Sequence, residues 1–299
     1  MFENDKIFKL GLGTVQFGMN YGISNFEGQA SKQEVCRILK IAQREGVRYL
    51  DTASQYGTSE QVLGETMPVD HQFQIITKTP HFKSEKIEQQ HISLLNNSFE
   101  QSLDRLSVDS VYGLMIHNAE DLFAPGGENL YQALNDLKKA GKVRKAGVSV
   151  YTVKQIDLIN SHYDIDIIQV PVNILDQRLI QSGHLSDLKK RGVEIHARSI
   201  FLQGLLLMDP EKLPENFTAI HPLLSKFHSD CAKIRVTPLA ACLDFVMGLE
   251  DVDCVIVGAC STNELNETIE NILKPNGLTD YSVFALLDEK ILNPALWKA

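Results

Sequence analysis

Eight short apolar runs alternate with amphipathic stretches along the whole 299-residue chain. Charged residues or glycines bound each run, as is typical of buried parallel strands. The runs are KLGLG, VRYLD, FQIITK, VYGLMIH, KAGVSV, DIIQV, VEIHA and CVIVG. Strands that alternate with helices over about 250 residues favour a (β/α)8 TIM barrel over a doubly wound sheet. We therefore predict one α/β domain over residues 1–299.

Helical patterns fill the gaps between these runs. The clearest is SKQEVCRILKIAQREG, in which Ser31 and Glu34 form a capping-box pattern and Gly46 gives a stop signal. The others cover 84–106, 128–141, 152–161, 178–191, 221–234, 238–248 and 261–273. The segment most similar to a dinucleotide-binding G-x-G-x-x-G motif is GLGTVQFG at 11–18. That motif requires a helix to begin there, and we predict none, so we do not assign it to dinucleotide binding.

Composition excludes several classes of partner. The formal net charge of −9 argues against nucleic acid or an anionic membrane. The chain has no long apolar run and MFENDKIFKLGLG is not a signal-peptide pattern, so we expect a cytoplasmic location and no membrane contact. The five cysteines lack a C-x-x-C spacing, and no metal site is predicted. The pattern does not indicate an oligomeric state.

Three consecutive strand-like runs end on an ionisable side chain. These residues are Asp51, Lys78 and His117, and Tyr56 follows the first of them by five positions. Taken singly, a strand-end aspartate can cap a helix, a lysine can be solvated and a histidine can be a packing residue. In a parallel barrel, however, the C-terminal strand ends meet at one rim. We therefore expect these side chains to converge.

Such a group suits the reduction of a carbonyl. The carbonyl oxygen gains negative charge as hydride is added, so the site has to stabilise that charge and donate a proton. Tyr56 and His117 can both do so. Free tyrosine has a pKa of about 10, and the Lys78 ammonium would favour its phenolate. Asp51 would keep Lys78 protonated, because an unpaired buried ammonium is costly.

The sequence resembles the aldo-keto reductase superfamily over essentially its whole length. The most specific segment is DTASQYGTSEQVLGE, and further matches are LGLGTVQFG, ITK, IH, GVS, QVPVN, QGLL and IVGACSTNEL. The resemblance implies a barrel that reduces an aldehyde, ketone or sugar carbonyl with NADPH or NADH. It implies Tyr56 as proton donor, Lys78 and Asp51 as tuning residues, and His117 as the residue that orients the carbonyl oxygen.

The resemblance also implies where the cofactor binds, although this chain departs from the usual pattern. Val150 stands where asparagine is usual, and Arg198 replaces the aromatic residue that usually stacks on the nicotinamide. A guanidinium can stack on a flat ring, or its charge can reach a phosphate or an anionic substrate. The implied cofactor-binding residues are Ser149, Gln169, Arg198, Ser199, Gly258, Ala259, Ser261 and Glu264.

Two positions indicate the cofactor preference. Cys260 stands where many NADP-preferring members have arginine or lysine, and Thr268 replaces a usual adenine-contacting asparagine. A 2′-phosphate would lose its obvious cationic partner here. We therefore predict a relaxed or NAD-leaning choice between NADP and NAD. Ser261 and Glu264 form a second capping-box pattern, so both can also serve simply as a helix cap.

Two rival functions use the same residues. In a Schiff-base aldolase or lyase, Lys78 would attack a carbonyl as a neutral amine, and borohydride would trap that adduct. In a cofactor-sensing binding subunit, the site would hold cofactor without turnover. The substrate itself is a small carbonyl compound whose identity the loops decide, and we expect the 203–222 loop and the tail from about 276 to Trp297 to form its wall.

Overall fold

Eight parallel strands close into a barrel in the computed structural model, which describes residues 3–25, 27–274 and 276–297. Each strand pairs with the next along the chain, and the last pairs with the first. The strands are β1 Leu10–Gly13, β2 Tyr49–Asp51, β3 Gln74–Lys78, β4 Val111–Ile116, β5 Val143–Ser149, β6 Ile167–Pro171, β7 Glu194–Arg198 and β8 Cys254–Gly258. The predicted (β/α)8 barrel is confirmed. That residues 1–299 form one domain stays a prediction.

Helices separate the strands and pack their apolar faces on the outside of the barrel. They are α1 Glu3–Phe8, α2 Val15–Gly18, α3 Lys32–Glu45, α4 Ser59–Thr66, α5 Gln89–Leu106, α6 Glu120–Phe123, α7 Glu128–Lys139, α8 Val153–His162, α9 Arg178–Gln181, α10 His184–Lys190, α11 His221–Lys233, α12 Pro238–Met247, α13 Thr262–Leu273 and α14 Glu289–Leu292. Ser31 caps α3, where its side chain accepts a hydrogen bond from the Glu34 amide, as its pattern indicates.

Some helical predictions differ from the structure. The helix predicted over 178–191 is divided into α9 and α10 at Gly183, whose φ of 77° lies in the left-handed region. The helix predicted from residue 84 begins at Gln89 instead. We expected no helix after the first strand. That expectation was wrong, because the single-turn helix α2 lies there.

The single turn of α2 positions the loop that carries Tyr56. Gly18 ends this turn, and a Cβ at Gly18 would lie 1.9 Å from the Tyr56 carbonyl oxygen. The amide of Thr58 also donates to the Gly18 carbonyl oxygen at 3.3 Å. The loop after β2 therefore rests directly on the backbone of α2, and a side chain at residue 18 would displace it.

A polar network lies inside the barrel at the end opposite to the strand-end tetrad. Glu194, the first residue of β7, accepts hydrogen bonds from Tyr112 and Lys145 and pairs with His196 at 2.7 Å. Burial raises the pKa of Glu194, but these hydrogen bonds outweigh it and lower the pKa to about 2. His196 is fully buried in the middle of β7 and is a packing residue of the interior.

The 203–222 segment and the C-terminal tail pack against each other. The segment winds through three short 3₁₀ turns, and the Phe217 ring lies 4.7 Å from the Trp297 ring. Leu207 lines the main cavity described below, whereas the described part of the tail does not, so the predicted contribution of the tail to the substrate wall was wrong. In the described ranges, no helix has the length and apolar character to cross a bilayer.

Candidate active site

The four tetrad side chains converge at the C-terminal rim of the barrel. Asp51 ends β2, Lys78 ends β3, His117 directly follows β4, and Tyr56 lies in the loop before α4. The Lys78 ammonium nitrogen lies 2.8 Å from both Asp51 carboxylate oxygens and 3.5 Å from the Tyr56 hydroxyl. The Tyr56 and His117 rings meet edge to face with centroids 5.8 Å apart. The predicted convergence is therefore present in the structure.

The contacts around Lys78 match a protonated amine. Its nitrogen donates to the Asp51 carboxylate and, at 2.9 Å, to the carbonyl oxygen of Thr52. Burial lowers the pKa of Lys78, while the charge and hydrogen bonds of Asp51 oppose that shift. Gln169 donates a further hydrogen bond to Asp51 at 2.7 Å. The carboxylate is thus held between an ammonium and an amide, and it fixes the ammonium beside Tyr56.

Tyr56 and His117 are held in their neutral forms. Burial raises the pKa of Tyr56 well above its ordinary value, and the Asp51 charge acts in the same direction. Burial lowers the pKa of His117 to about 2, assisted by the positive charges of Lys78 and Arg198. Tyr56 can therefore donate a proton at neutral pH, whereas His117 is a neutral imidazole that can orient an oxygen.

One large cavity of about 580 Å³ extends from this tetrad across the barrel mouth. Tyr56 and His117 line its reactive end, and Cys260 and Thr268 line its far end beside α13. Six predicted cofactor-binding residues line the cavity, namely Ser149, Gln169, Arg198, Ser199, Gly258 and Glu264. Ala259 is buried, and the hydroxyl of Ser261 instead caps α13 by accepting from the Glu264 amide at 3.3 Å.

The groups along this cavity can hold a nicotinamide dinucleotide. Near the tetrad, the Ser149 hydroxyl and the Gln169 amide oxygen are available to a carboxamide, since Gln169 uses its nitrogen on Asp51. At the far end, two carboxylates already accept hydrogen bonds from backbone amides at the start of α13. Glu264 accepts from the Cys260 amide at 2.7 Å, and Glu34 accepts from the Thr262 amide at 2.6 Å. A phosphate there would meet negative charge.

Arg198 lies across the cavity floor in a fixed orientation. Its guanidinium donates to the Val150 carbonyl oxygen at 3.0 Å and to the Ser199 hydroxyl at 3.1 Å. It also stacks on the Tyr151 ring, with the guanidinium carbon 4.1 Å from the ring centroid. Sequence reasoning missed Tyr151, although it directly follows the GVSV strand end. It also missed Tyr21, which lines the cavity from the loop after β1.

The loops that follow β1 and β7 meet over the cavity. The amide of Ile23 donates to the Gln203 carbonyl oxygen at 3.1 Å. Gly204, whose φ is 90°, approaches Ser24 so closely that a Cβ would lie 1.7 Å from the serine hydroxyl. The two loops thus enclose the space between the tetrad and α13.

Comparisons with known proteins agree with this geometry. Residues 9–290 match the model of the Aldo/keto reductase family. The chain is 24% identical to an NADH-specific methylglyoxal reductase of Escherichia coli, over 87% of this chain and 88% of the relative. It is 28% identical to a glyoxal reductase of Bacillus subtilis, over 62% of this chain and 65% of the relative.

Solved structures give the same fold. The structure of aldo-keto reductase AKR11C1 from Bacillus halodurans in its holo form superimposes with a TM-score of 0.71 at 21% identity, over 92% of this chain and 89% of that one. The glycerol dehydrogenase AKR11B4 from Gluconobacter oxydans superimposes with a TM-score of 0.65 at 21% identity, over 90% and 93%. The chain belongs to the aldo/keto reductase family and reduces carbonyl compounds with NAD(P)H.

Proposed function

We propose that this reductase transfers hydride from NADH to an aldehyde, ketone or sugar carbonyl, with Tyr56 as proton donor. The observation that carries the proposal is the Lys78 ammonium, which lies between the Asp51 carboxylate and the Tyr56 hydroxyl. Ser149 and Gln169, which line the cavity, would hold the carboxamide of the nicotinamide, and the nicotinamide, when bound, would supply the hydride to the carbonyl carbon.

The chain's own residues handle the oxygen of the substrate. Its carbonyl oxygen would accept hydrogen bonds from Tyr56 and His117, and these bonds strengthen as negative charge develops. The Tyr56 hydroxyl donates its proton to that oxygen, which leaves a phenolate. Lys78 stabilises the phenolate by charge until it takes a proton back from solvent. Asp51 holds Lys78 in place throughout.

The structure bears on the two rival functions differently. A Schiff base requires Lys78 as a free nucleophile, but its nitrogen is fully buried and engaged by Asp51 and Thr52. A cofactor-sensing role, in contrast, needs only the cavity.

NADH titration followed by a panel of carbonyls, including methylglyoxal, glyoxal and an oxidised glucose, separates cofactor sensing from catalysis. Oxidation of NADH supports the reductase, and tight NADH binding without oxidation by any carbonyl favours sensing.

We expect kcat/KM for reduction to stay flat between about pH 5.5 and about pH 9 at saturating NADH. The pKa of His117 is lowered to about 2, so the imidazole does not charge in this window. The pKa of Tyr56 is raised, so the phenol keeps its proton there. Initial rates across buffers of constant ionic strength provide the measurement. A fall in kcat/KM as the pH rises through about 6.5, the ordinary pKa of histidine, would show that His117 acts in its charged form and would contradict this prediction.

We expect NADH to bind about tenfold more tightly than NADPH, measured as dissociation constants by fluorescence titration. The carboxylates of Glu34 and Glu264 at the start of α13 would repel a 2′-phosphate. Glu264→Gln keeps a hydrogen-bond acceptor for the Cys260 amide but removes the negative charge. It should therefore reduce the preference for NADH over NADPH. Glu270→Gln on the exposed side of α13 is the matched control. About a hundredfold preference for NADPH would contradict this prediction.

A cytoplasmic location remains our proposal. The charge of −9 supports small molecules, and not nucleic acid, as partners.

A further inference from the structure

Arg198 carries a positive charge that the described part of the protein does not neutralise. Both of its hydrogen-bond acceptors, the Val150 carbonyl oxygen and the Ser199 hydroxyl, are neutral. It is half-buried, and it is the one lysine or arginine among the described residues that line the cavity. Asp51, a nearby carboxylate of the cavity, is already paired with Lys78. A partly desolvated guanidinium is costly unless it is paired, so an anionic partner would stabilise it.

The direction of the side chain identifies the end of the cavity where this partner binds. Arg198 starts at the end of β7, between β6 and β8, and its guanidinium reaches the backbone that follows β5. It therefore leans away from β8 and α13, where the acidic far end of the cavity lies. Its charge is close enough to oppose the rise in the pKa of Tyr56 and to contribute to the lowered pKa of His117. The free charge thus faces the reactive end.

The stack on Tyr151 orients the guanidinium so that it can bind a planar anion such as a carboxylate. With its carbon 4.1 Å from the Tyr151 ring centroid and two hydrogen bonds to the protein, the guanidinium retains little freedom to reorient. A planar fork matches a carboxylate bidentately, which an ammonium does not. Tyr21, from the loop after β1, lines the same region and is held as a neutral phenol because burial raises its pKa to about 12.

We propose that Arg198 binds an oxyanion of the substrate, so that the enzyme selects carbonyl compounds that carry a carboxylate. The inference rests on the proposed function, because it places the carbonyl beside Tyr56. The same oxyanion chemistry also exists in the diphosphate of the cofactor. Because the side chain points toward β5, we favour the substrate over the diphosphate as the source of the oxyanion. The experiment below separates these two sources.

The test compares two aldehydes of the same shape and different charge, 4-carboxybenzaldehyde and 4-formylbenzamide. We expect kcat/KM to be at least about tenfold higher for the acid than for the amide, mainly through a lower KM. A charge-assisted hydrogen bond to Arg198 accounts for a difference of this size. Arg198→Gln should bring this ratio close to one, and Arg198→Lys should restore part of it. A ratio cancels any effect of the substitution that both substrates share, including an effect on the cofactor.

Binding without turnover gives a second measurement. Calorimetry of the NAD-loaded protein with 4-methylbenzoate and with 4-methylbenzamide should show the same preference for the acid, and Arg198→Gln should abolish it. The inference is overturned if the unsubstituted protein does not distinguish acid from amide. It is also overturned if Arg198→Gln leaves the acid preference intact. If that variant also binds NADH about tenfold more weakly, the charge serves the diphosphate. Acid-selective binding without reduction of either aldehyde supports the role of Arg198 and contradicts the proposed function.

Discussion

Replacing Tyr56 by phenylalanine is expected to lower kcat for carbonyl reduction by about 10²–10⁴-fold, the usual contribution of a positioned proton donor. The substitution removes the hydroxyl that lies 3.5 Å from Lys78. It keeps the ring that packs edge to face against His117. The cavity and its cofactor contacts should therefore persist, and the NADH dissociation constant should change by less than about threefold. Initial rates with fluorescence titration measure both quantities.

A matched control separates the loss of this hydroxyl from the loss of a phenol hydroxyl elsewhere in the chain. Tyr131→Phe removes a hydroxyl that donates to the Asp164 carbonyl oxygen on the outside of the barrel. We expect it to leave kcat unchanged. If Tyr56→Phe keeps full activity, Tyr56 is not the proton donor and the proposed mechanism fails.

Replacing Lys78 by methionine is expected to lower the free energy of unfolding by about 3–5 kcal/mol and to abolish turnover. The substitution leaves the Asp51 carboxylate buried, with Gln169 as its remaining hydrogen-bond donor. Removal of one partner from a buried ion pair costs more than removal of both, because the remaining charge stays desolvated. Urea-induced unfolding provides the measurement.

The double variant Asp51→Asn with Lys78→Met tests this explanation. It should recover most of the lost stability, because no unpaired carboxylate stays buried, while remaining inactive. The control Lys233→Met breaks an exposed pair with Asp230 and should cost less than about 1 kcal/mol. A Lys78→Met protein as stable as the unsubstituted chain would show that the buried pair does not behave as described.

The barrel and its tetrad were predictable because both depend on local patterns. Short apolar runs give strands, and parallel strands in a closed barrel bring their C-terminal ends to one rim. Asp51, Lys78 and His117 therefore had to be neighbours once the fold was known, whatever lay between them. The hydrophobic periodicity of α3 and its Ser31 cap were equally local.

The features that the sequence did not reveal depend on contacts between distant segments. The helix α4 was missed because it buries Ser59 and Glu60, which a hydrophobic pattern assigns to solvent. Glu60 is satisfied by Thr77 and Arg105, which lie elsewhere in the chain. Tyr21 enters the cavity only because its loop crosses the barrel mouth to the loop after β7.

The carboxylates that cap α13 tie cofactor choice to folding. Glu34 belongs to α3 and Thr262 to α13, so their hydrogen bond also joins two outer helices. Placing basic residues there to favour NADPH would remove a hydrogen bond to the start of α13 and an interhelical contact at once. Variants selected for the phosphorylated cofactor should therefore need compensating substitutions elsewhere to regain their thermal tolerance.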